Sequence, residues 1–290
     1  MRILVTGAKG QLGVELLDVL RQAHEVVGLD LPQLDITKPE AARVIADAQP
    51  AWVVHAAAWT DVDGCERDPG RALVVNGDGT RRVAEGCRAA GAGLLYLSTD
   101  YVFDGRKGAP YVETDPVSPL SAYARSKVAG EDAVRAIVPR WAIVRTAWLF
   151  GVSGKNFVKT IVEKATAGGP LRVVDDQVGS PTYARDLAEA IQQLLSRQLT
   201  GIYHVTNGGH CSWYAFAKAI LQQAGLGAVP VSPMTTAELG RPAPRPALSV
   251  LANQAWVAAG LPPLRPWHEA LAAMLAAWRG SGGSPVISQF

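Results

Sequence analysis

Met1-Arg2-Ile3-Leu4-Val5-Thr6-Gly7-Ala8-Lys9-Gly10-Gln11-Leu12-Gly13 runs a short apolar strand into a glycine-rich turn and then into helical spacing. That order gives the three glycines separate tasks: Gly7 allows the tight turn, Gly10 lets a pyrophosphate approach backbone N–H groups, and Gly13 lets a helix pack closely on a sheet. Lys9, Gln11 and Leu12 lie in the same turn. The helix start beyond them carries partial positive charge suited to phosphate. Seventeen residues past Gly13, Asp30 follows a second apolar run, where a carboxylate can accept hydrogen bonds from a ribose.

The same pattern continues along the chain. Ile3–Val5, Val26–Leu29, Trp52–Val54, Leu94–Leu97 and Ala142–Val144 read as buried parallel strands. Between them Leu12–Ala23, Pro39–Gln49, Gly70–Ala90 and Ala122–Val138 are long enough for crossover helices. This alternation predicts an α/β fold, a Rossmann-type doubly wound parallel sheet with ligands outside the carboxyl ends of its strands. Those ends carry Gly7, Asp30, Ala56, Ala57, Ala58, Ser98, Thr99 and Thr146. The division expected is a dinucleotide-binding domain over 1–150 and a smaller, mainly substrate-binding subdomain over 151–280. The second part is expected to hold helices near Asn156–Ala167, Tyr183–Ser196 and Trp213–Ala224, with strands near Leu171–Val174 and Ile202–Val205. Pro230, Pro233, Pro242, Pro244 and Pro246 predict an ordered loop over Gly227–Pro246. A flexible tail is expected over 281–290.

Composition narrows the class of function. The 290 residues carry 28 Lys plus Arg against 26 Asp plus Glu, a net charge of +2 that gives no field for nucleic acid or a membrane surface. No apolar run approaches the roughly 20 residues of a membrane span, and the N-terminus lacks the pattern of a signal peptide. Cys65, Cys87 and Cys211 are three in number and widely spaced, which points to a reducing cytoplasm rather than to disulfides or zinc. The five histidines show no metal-ligand spacing.

Chemistry enters at Tyr123-Ala124-Arg125-Ser126-Lys127, which puts a phenol and an ammonium at i and i+4 on one helical face. A cation about 4 Å from a phenol, at an effective dielectric near 20, favours phenolate by about 4 kcal/mol before desolvation. The pair therefore predicts a tyrosine made acidic by its lysine, beside Thr99 at the end of the preceding strand.

A glycine loop, a strand-end Ser98-Thr99 and a later Tyr123-x-x-x-Lys127 together resemble the short-chain dehydrogenase/reductase family in its extended, sugar-nucleotide-modifying branch. Within it, Ala56-Ala57-Ala58-Trp59-Thr60, Ser98-Thr99-Asp100-Tyr101-Val102-Phe103, Arg145-Thr146-Ala147-Trp148 and Gly179-Ser180-Pro181-Thr182 resemble the dTDP-4-dehydrorhamnose reductase family. The resemblance implies reduction of the C4 ketone of dTDP-4-dehydro-L-rhamnose with NADH or NADPH as cofactor. It implies that Tyr123 donates the proton, that Thr99 hydrogen-bonds the same oxygen, and that Lys127 lowers the tyrosine pKa and holds the nicotinamide ribose. Ala56, Ala57 and Ala58 would line the cofactor, and Asn76 would buttress its site. Thr60, Asp100 and Trp148 would meet the substrate, with Trp148 over the sugar ring. Arg245 would face the diphosphate with its planar fork. Asp30 favours NADH, while Lys9 offsets repulsion of a 2'-phosphate and leaves NADPH open.

Departures from related patterns also carry weight. Sugar-nucleotide dehydratases follow the strand-end Thr with an Asp-Glu pair, whereas Asp100 is followed here by Tyr101, which favours plain ketone reduction. Some family members hold Mg2+ between subunits with glutamates. Glu15 matches one of these, but Arg185 stands where another is expected, which argues against a bound metal and for a monomer or weak homodimer. Two further readings stay open: a reductase of another nucleotide-linked 4-keto-6-deoxyhexose, and a non-enzymatic cofactor-binding regulator resembling the regulatory β subunit of methionine adenosyltransferase.

Overall fold

A computed structural model describes residues 1–282. The strands β1 (Arg2–Thr6), β2 (Glu25–Leu29), β3 (Trp52–His55), β4 (Gly93–Thr99) and β5 (Trp141–Thr146) lie in the order β2-β1-β3-β4-β5, every pair parallel. A sixth strand, Gly201–His204, pairs in parallel with the outer edge of β5. Chain order reverses between β1 and β3, which opens a crevice at their carboxyl ends, between Gly7 and Ala56.

Alternate strand residues feed two cores, as the pleat requires. Ile3, Val5, Val54, Leu95 and Val144 pack under helix α1 (Gln11–Leu20) and the helix Ala184–Ser196. Leu4, Val53, Leu94, Tyr96 and Ile143 pack on the opposite face with Ile45, Val83 and Val134. A separate core of Val158, Ile161, Phe216, Ile220, Leu271 and Met274 holds the second part of the chain together.

The structure corrects three sequence expectations. The division at residue 150 does not follow the layers, because Gly201–His204 and Ala184–Ser196 belong to the central sheet and its helical cover. β5 would otherwise leave an open edge, and Ile202 and Tyr203 fill it opposite Ile143 and Val144. The proline-rich stretch is not all loop, since Val231–Met234 pairs with Leu171–Val174 in a two-stranded sheet that tolerates Pro233. The helix expected over Gly70–Ala90 is interrupted by a π-helical segment, Leu73–Asp78. The expected tail lies, from residue 283 onward, outside the described residues. Among the described residues no helix is long and apolar enough to cross a membrane.

Candidate active site

The turn after β1 is built so closely that side chains are excluded. Gly7 has φ +71°, and a Cβ there would stand 2.7 Å from the Ala57 nitrogen. A Cβ on Gly13 would overlap the Gly7 carbonyl oxygen. The Gly10 N–H donates to that same oxygen at 3.0 Å, which closes the turn into α1. A bare backbone at a helix N-terminus is thereby presented to the crevice, an arrangement suited to a pyrophosphate.

Three cavities follow one another along the carboxyl edge. The outer one, about 680 Å³, is lined by Lys9, Asp30, Ala57, Trp59, Arg71 and Val74, among others. The middle one, about 320 Å³, is lined by Gln11, Leu12, Ser98, Tyr123 and Lys127. Gly7, Gly10, Ala56 and Ala58 border both. The third, about 770 Å³, meets the middle one at Thr60 and is walled by Tyr101, Phe157, Lys164, Trp213, Arg241 and Arg245. A trough of this length and shape fits a dinucleotide in its first two sections and an anionic partner in the third.

At the outer end, Asp30 accepts the backbone N–H of Lys9 at 2.8 Å on one oxygen and that of Leu31 at 2.8 Å on the other. Each oxygen keeps a second lone pair for a ribose hydroxyl. The Lys9 ammonium donates to the Leu31 carbonyl at 2.7 Å, and the Arg71 guanidinium stacks on Trp59 at 4.5 Å. Two cations thus line the same cavity as the carboxylate. Neither Arg71 nor Lys155, which reaches the middle cavity, carried a sequence signal.

Tyr123 and Lys127 lie in the first part of the helix Ala122–Ile137, whose N-cap Ser121 accepts the Ala124 N–H at 3.2 Å. Both are buried. The Lys127 ammonium donates to the Leu97 carbonyl at 2.7 Å and stands 4.2 Å from the centre of the Tyr96 ring. Burial pulls its pKa down to about 7, against the opposing charge of Glu131. Glu131 is itself fully buried, bonded to Arg145 at 2.7 and 2.9 Å and to the Ser98 hydroxyl at 2.6 Å.

The expected acidification of Tyr123 is therefore corrected. Burial pushes the phenol above its ordinary value, a charge on Asp100 would push it further, and Lys127 does not offset this because its ammonium is aimed at Leu97 and Tyr96. The hydrogen bond of the Thr99 hydroxyl works the other way and marks the two hydroxyls as neighbours. Tyr101 meets Tyr123 edge-to-face, with ring centres 6.2 Å apart.

Two further expectations change. Asn76, expected at the cofactor, is buried in the π-helical segment and lines none of the three cavities. Its amide oxygen accepts the Trp59 N–H at 2.8 Å, and its amide nitrogen donates to the Trp59 carbonyl and to Ser126, both at 3.0 Å. Ser126 in turn donates to the Tyr123 carbonyl at 2.7 Å, so Asn76 acts by positioning. Trp148, expected over the sugar, has φ +47°, backs onto Gly179 and stacks on Trp213 at 3.5 Å; it is Trp213 that lines the cavity.

The third cavity is organised by Asp63. Its carboxylate accepts from Arg245 at 3.1 Å, Arg241 at 3.2 Å and the Ala243 N–H at 3.3 Å. Burial pushes its pKa up, but Arg245 and the other two contacts outweigh that and hold it below the ordinary range. Away from the trough, the Arg185 guanidinium pairs with Glu15 at 3.6 Å, with Glu189 at 3.0 Å and with Asp18. A cation of the chain itself therefore stands among those carboxylates.

A glycine-built dinucleotide trough on a doubly wound sheet, ending at a buried Thr–Tyr–Lys cluster, defines an oxidoreductase-type fold of the short-chain dehydrogenase/reductase kind. The chain belongs to the family described as RmlD substrate binding domain, matched over residues 1–279. It is 46% identical over 293 residues to the dTDP-4-dehydrorhamnose reductase of Streptomyces griseus, covering 98% of this chain and 96% of that protein. It is 41% identical to the dTDP-4-keto-6-deoxy-D-glucose reductase of Streptomyces niveus, covering 93% and 95%. The crystal structure of dTDP-4-dehydrorhamnose reductase from Bacillus anthracis in complex with NADP superposes with a TM-score of 0.93 at 38% identity, covering 95% of this chain and 99% of that one.

Proposed function

We propose that the protein reduces the C4 ketone of dTDP-4-dehydro-L-rhamnose to dTDP-L-rhamnose with NADPH or NADH. One observation carries the reading: the Tyr123 phenol, with Thr99 as its neighbour, lines the middle section of the dinucleotide trough, and that section meets a cavity walled by arginines at Thr60. The similarity to dTDP-4-dehydrorhamnose reductases, one of them holding NADP, supports it.

When bound, the reduced nicotinamide supplies hydride. The rest is the work of this chain. Tyr123 donates its proton to the ketone oxygen as negative charge develops there, and its raised pKa keeps that proton in place until then. Thr99 donates a hydrogen bond to the same oxygen. Lys127, seated on Leu97 at the wall of the middle cavity, would hold the nicotinamide ribose, and Ala56 and Ala58 would leave room for the ring. Arg245, held in register by Asp63, faces the diphosphate. The same reading takes Asp30 to the adenosine ribose, with Lys9 and Arg71 tolerating a 2'-phosphate. It extends to a cytoplasmic monomer or weak homodimer, on the three free thiols and the Arg185 cation among Glu15, Asp18 and Glu189.

The test is NADPH or NADH oxidation by purified protein with dTDP-4-dehydrorhamnose made in situ. Consumption that depends on the keto sugar supports the reading; none with either cofactor rejects it. Faster turnover of dTDP-4-keto-6-deoxy-D-glucose would favour the other sugar.

A further inference from the structure

Asp100 is an acid with no evident partner for half of its carboxyl. It is 2% exposed, and its Oδ2 is buried without a hydrogen-bond partner among the described residues. Its Oδ1 lies 3.0 Å from the Thr99 hydroxyl, which also accepts the Tyr101 N–H at 3.2 Å. The groups facing it are Thr99 on β4, Tyr101 on the turn that follows, Tyr123 on the helix Ala122–Ile137, and Ser249, which partly offsets its burial. Beyond Tyr101 stand Arg245 and Asp63, already engaged with one another. Among the described residues no ion pair reaches the carboxyl, so ionisation would bury a charge with only neutral hydroxyl and N–H groups to meet it.

A 3.0 Å contact between a hydroxyl and a carboxyl can run in either direction. A carboxylate takes the only proton of Thr99, which leaves that hydroxyl only lone pairs to offer Tyr123 and a ketone. A neutral acid donates to Thr99 and frees its proton. We propose that Asp100 is a positioning residue that works as the neutral acid, donating to Thr99 so that the Thr99 proton points at the ketone oxygen beside Tyr123. The assignment rests on the reductase reading above. It goes beyond a substrate contact for Asp100, because the residue acts through Thr99.

Burial pushes the Asp100 pKa up to about 7, against the hydrogen bonds of Ser249 and Thr99, so the working form is present below neutrality and lost above it. Lys127 titrates in the same range on the other side of Tyr123, so a fall in turnover with pH is ambiguous by itself. Asp100→Asn resolves it, since an amide donates to Thr99 at every pH and leaves Lys127 in place. The expected result is that the ratio of variant to wild-type kcat rises about tenfold between pH 6 and 8.5. A flat ratio in an active enzyme overturns the inference and spares the reductase reading; a wild type without turnover removes both. Carbon-13 NMR of the Asp100 carboxyl in the whole chain gives a readout independent of activity. A midpoint above pH 6 is expected, and one at or below pH 6 overturns the proposal.

Discussion

The two ends of the trough are made of different material. The dinucleotide end is backbone: Gly7, Gly10 and Gly13 bring main chain against main chain, and Ala56, Ala57 and Ala58 keep the opposite wall low. The sugar end is long charged side chains, with Arg241 and Arg245 reaching across some 180 positions of sequence to Asp63. A backbone site is fixed by steric exclusion and tolerates almost no added atom. A site of long side chains is fixed by charge and hydrogen bonds, and gives way one contact at a time.

That contrast orders the expected effects of substitution. The largest belongs to the junction. Tyr123→Phe should lower kcat about 10²- to 10⁴-fold, the range of a positioned proton donor, while fluorescence titration shows dinucleotide affinity within about twofold of wild type. Next comes the backbone end: Gly13→Ala puts a methyl group onto the Gly7 carbonyl. Calorimetry should show a loss of about 2–4 kcal/mol, with weakened dinucleotide binding. A fully stable Gly13→Ala protein would mean that the turn yields and would erase the contrast.

At the charged end, Arg245→Ala removes a charge-assisted bond to Asp63 from a side chain only 16% exposed. The same change removes the bond proposed from Arg245 to the diphosphate, and at about 1.5–3 kcal/mol for a charge-assisted bond KM for the nucleotide sugar should rise roughly 10- to 100-fold, with KM for the dinucleotide unchanged. Arg241 is 56% exposed, so Arg241→Ala should cost under about 1 kcal/mol and shift the same KM only severalfold. Equal losses for the two arginines would show that exposure does not set their worth.

The same contrast explains what could be read in the sequence. Glycine spacing, strand periodicity and the i, i+4 pair are local signals, and Gly7, Gly13, Tyr123 and Lys127 all stand where that pattern points. Asn76 was legible as a buttress but not as a residue off the trough, where a π-helical segment turns its amide onto Trp59 and Ser126. Acidification of Tyr123 failed because i, i+4 spacing fixes a helical face but not where an ammonium points, and the Leu97 carbonyl and the Tyr96 ring take it. Arg71 and Trp213 owe their roles to contacts made across the fold, which no local pattern announces. The strand Gly201–His204 was legible as a strand but not as the edge of the first sheet, since pairing is set by the open side of β5.

The central claim, that this chain holds a ketone between Tyr123 and Thr99 for hydride delivery, is tested most directly by isotope transfer. With dTDP-4-dehydrorhamnose and NADPH carrying deuterium at the transferable C4 position, the product should carry that deuterium on sugar C4. NADPH consumed with deuterium absent from sugar C4, or found on another carbon, would contradict it.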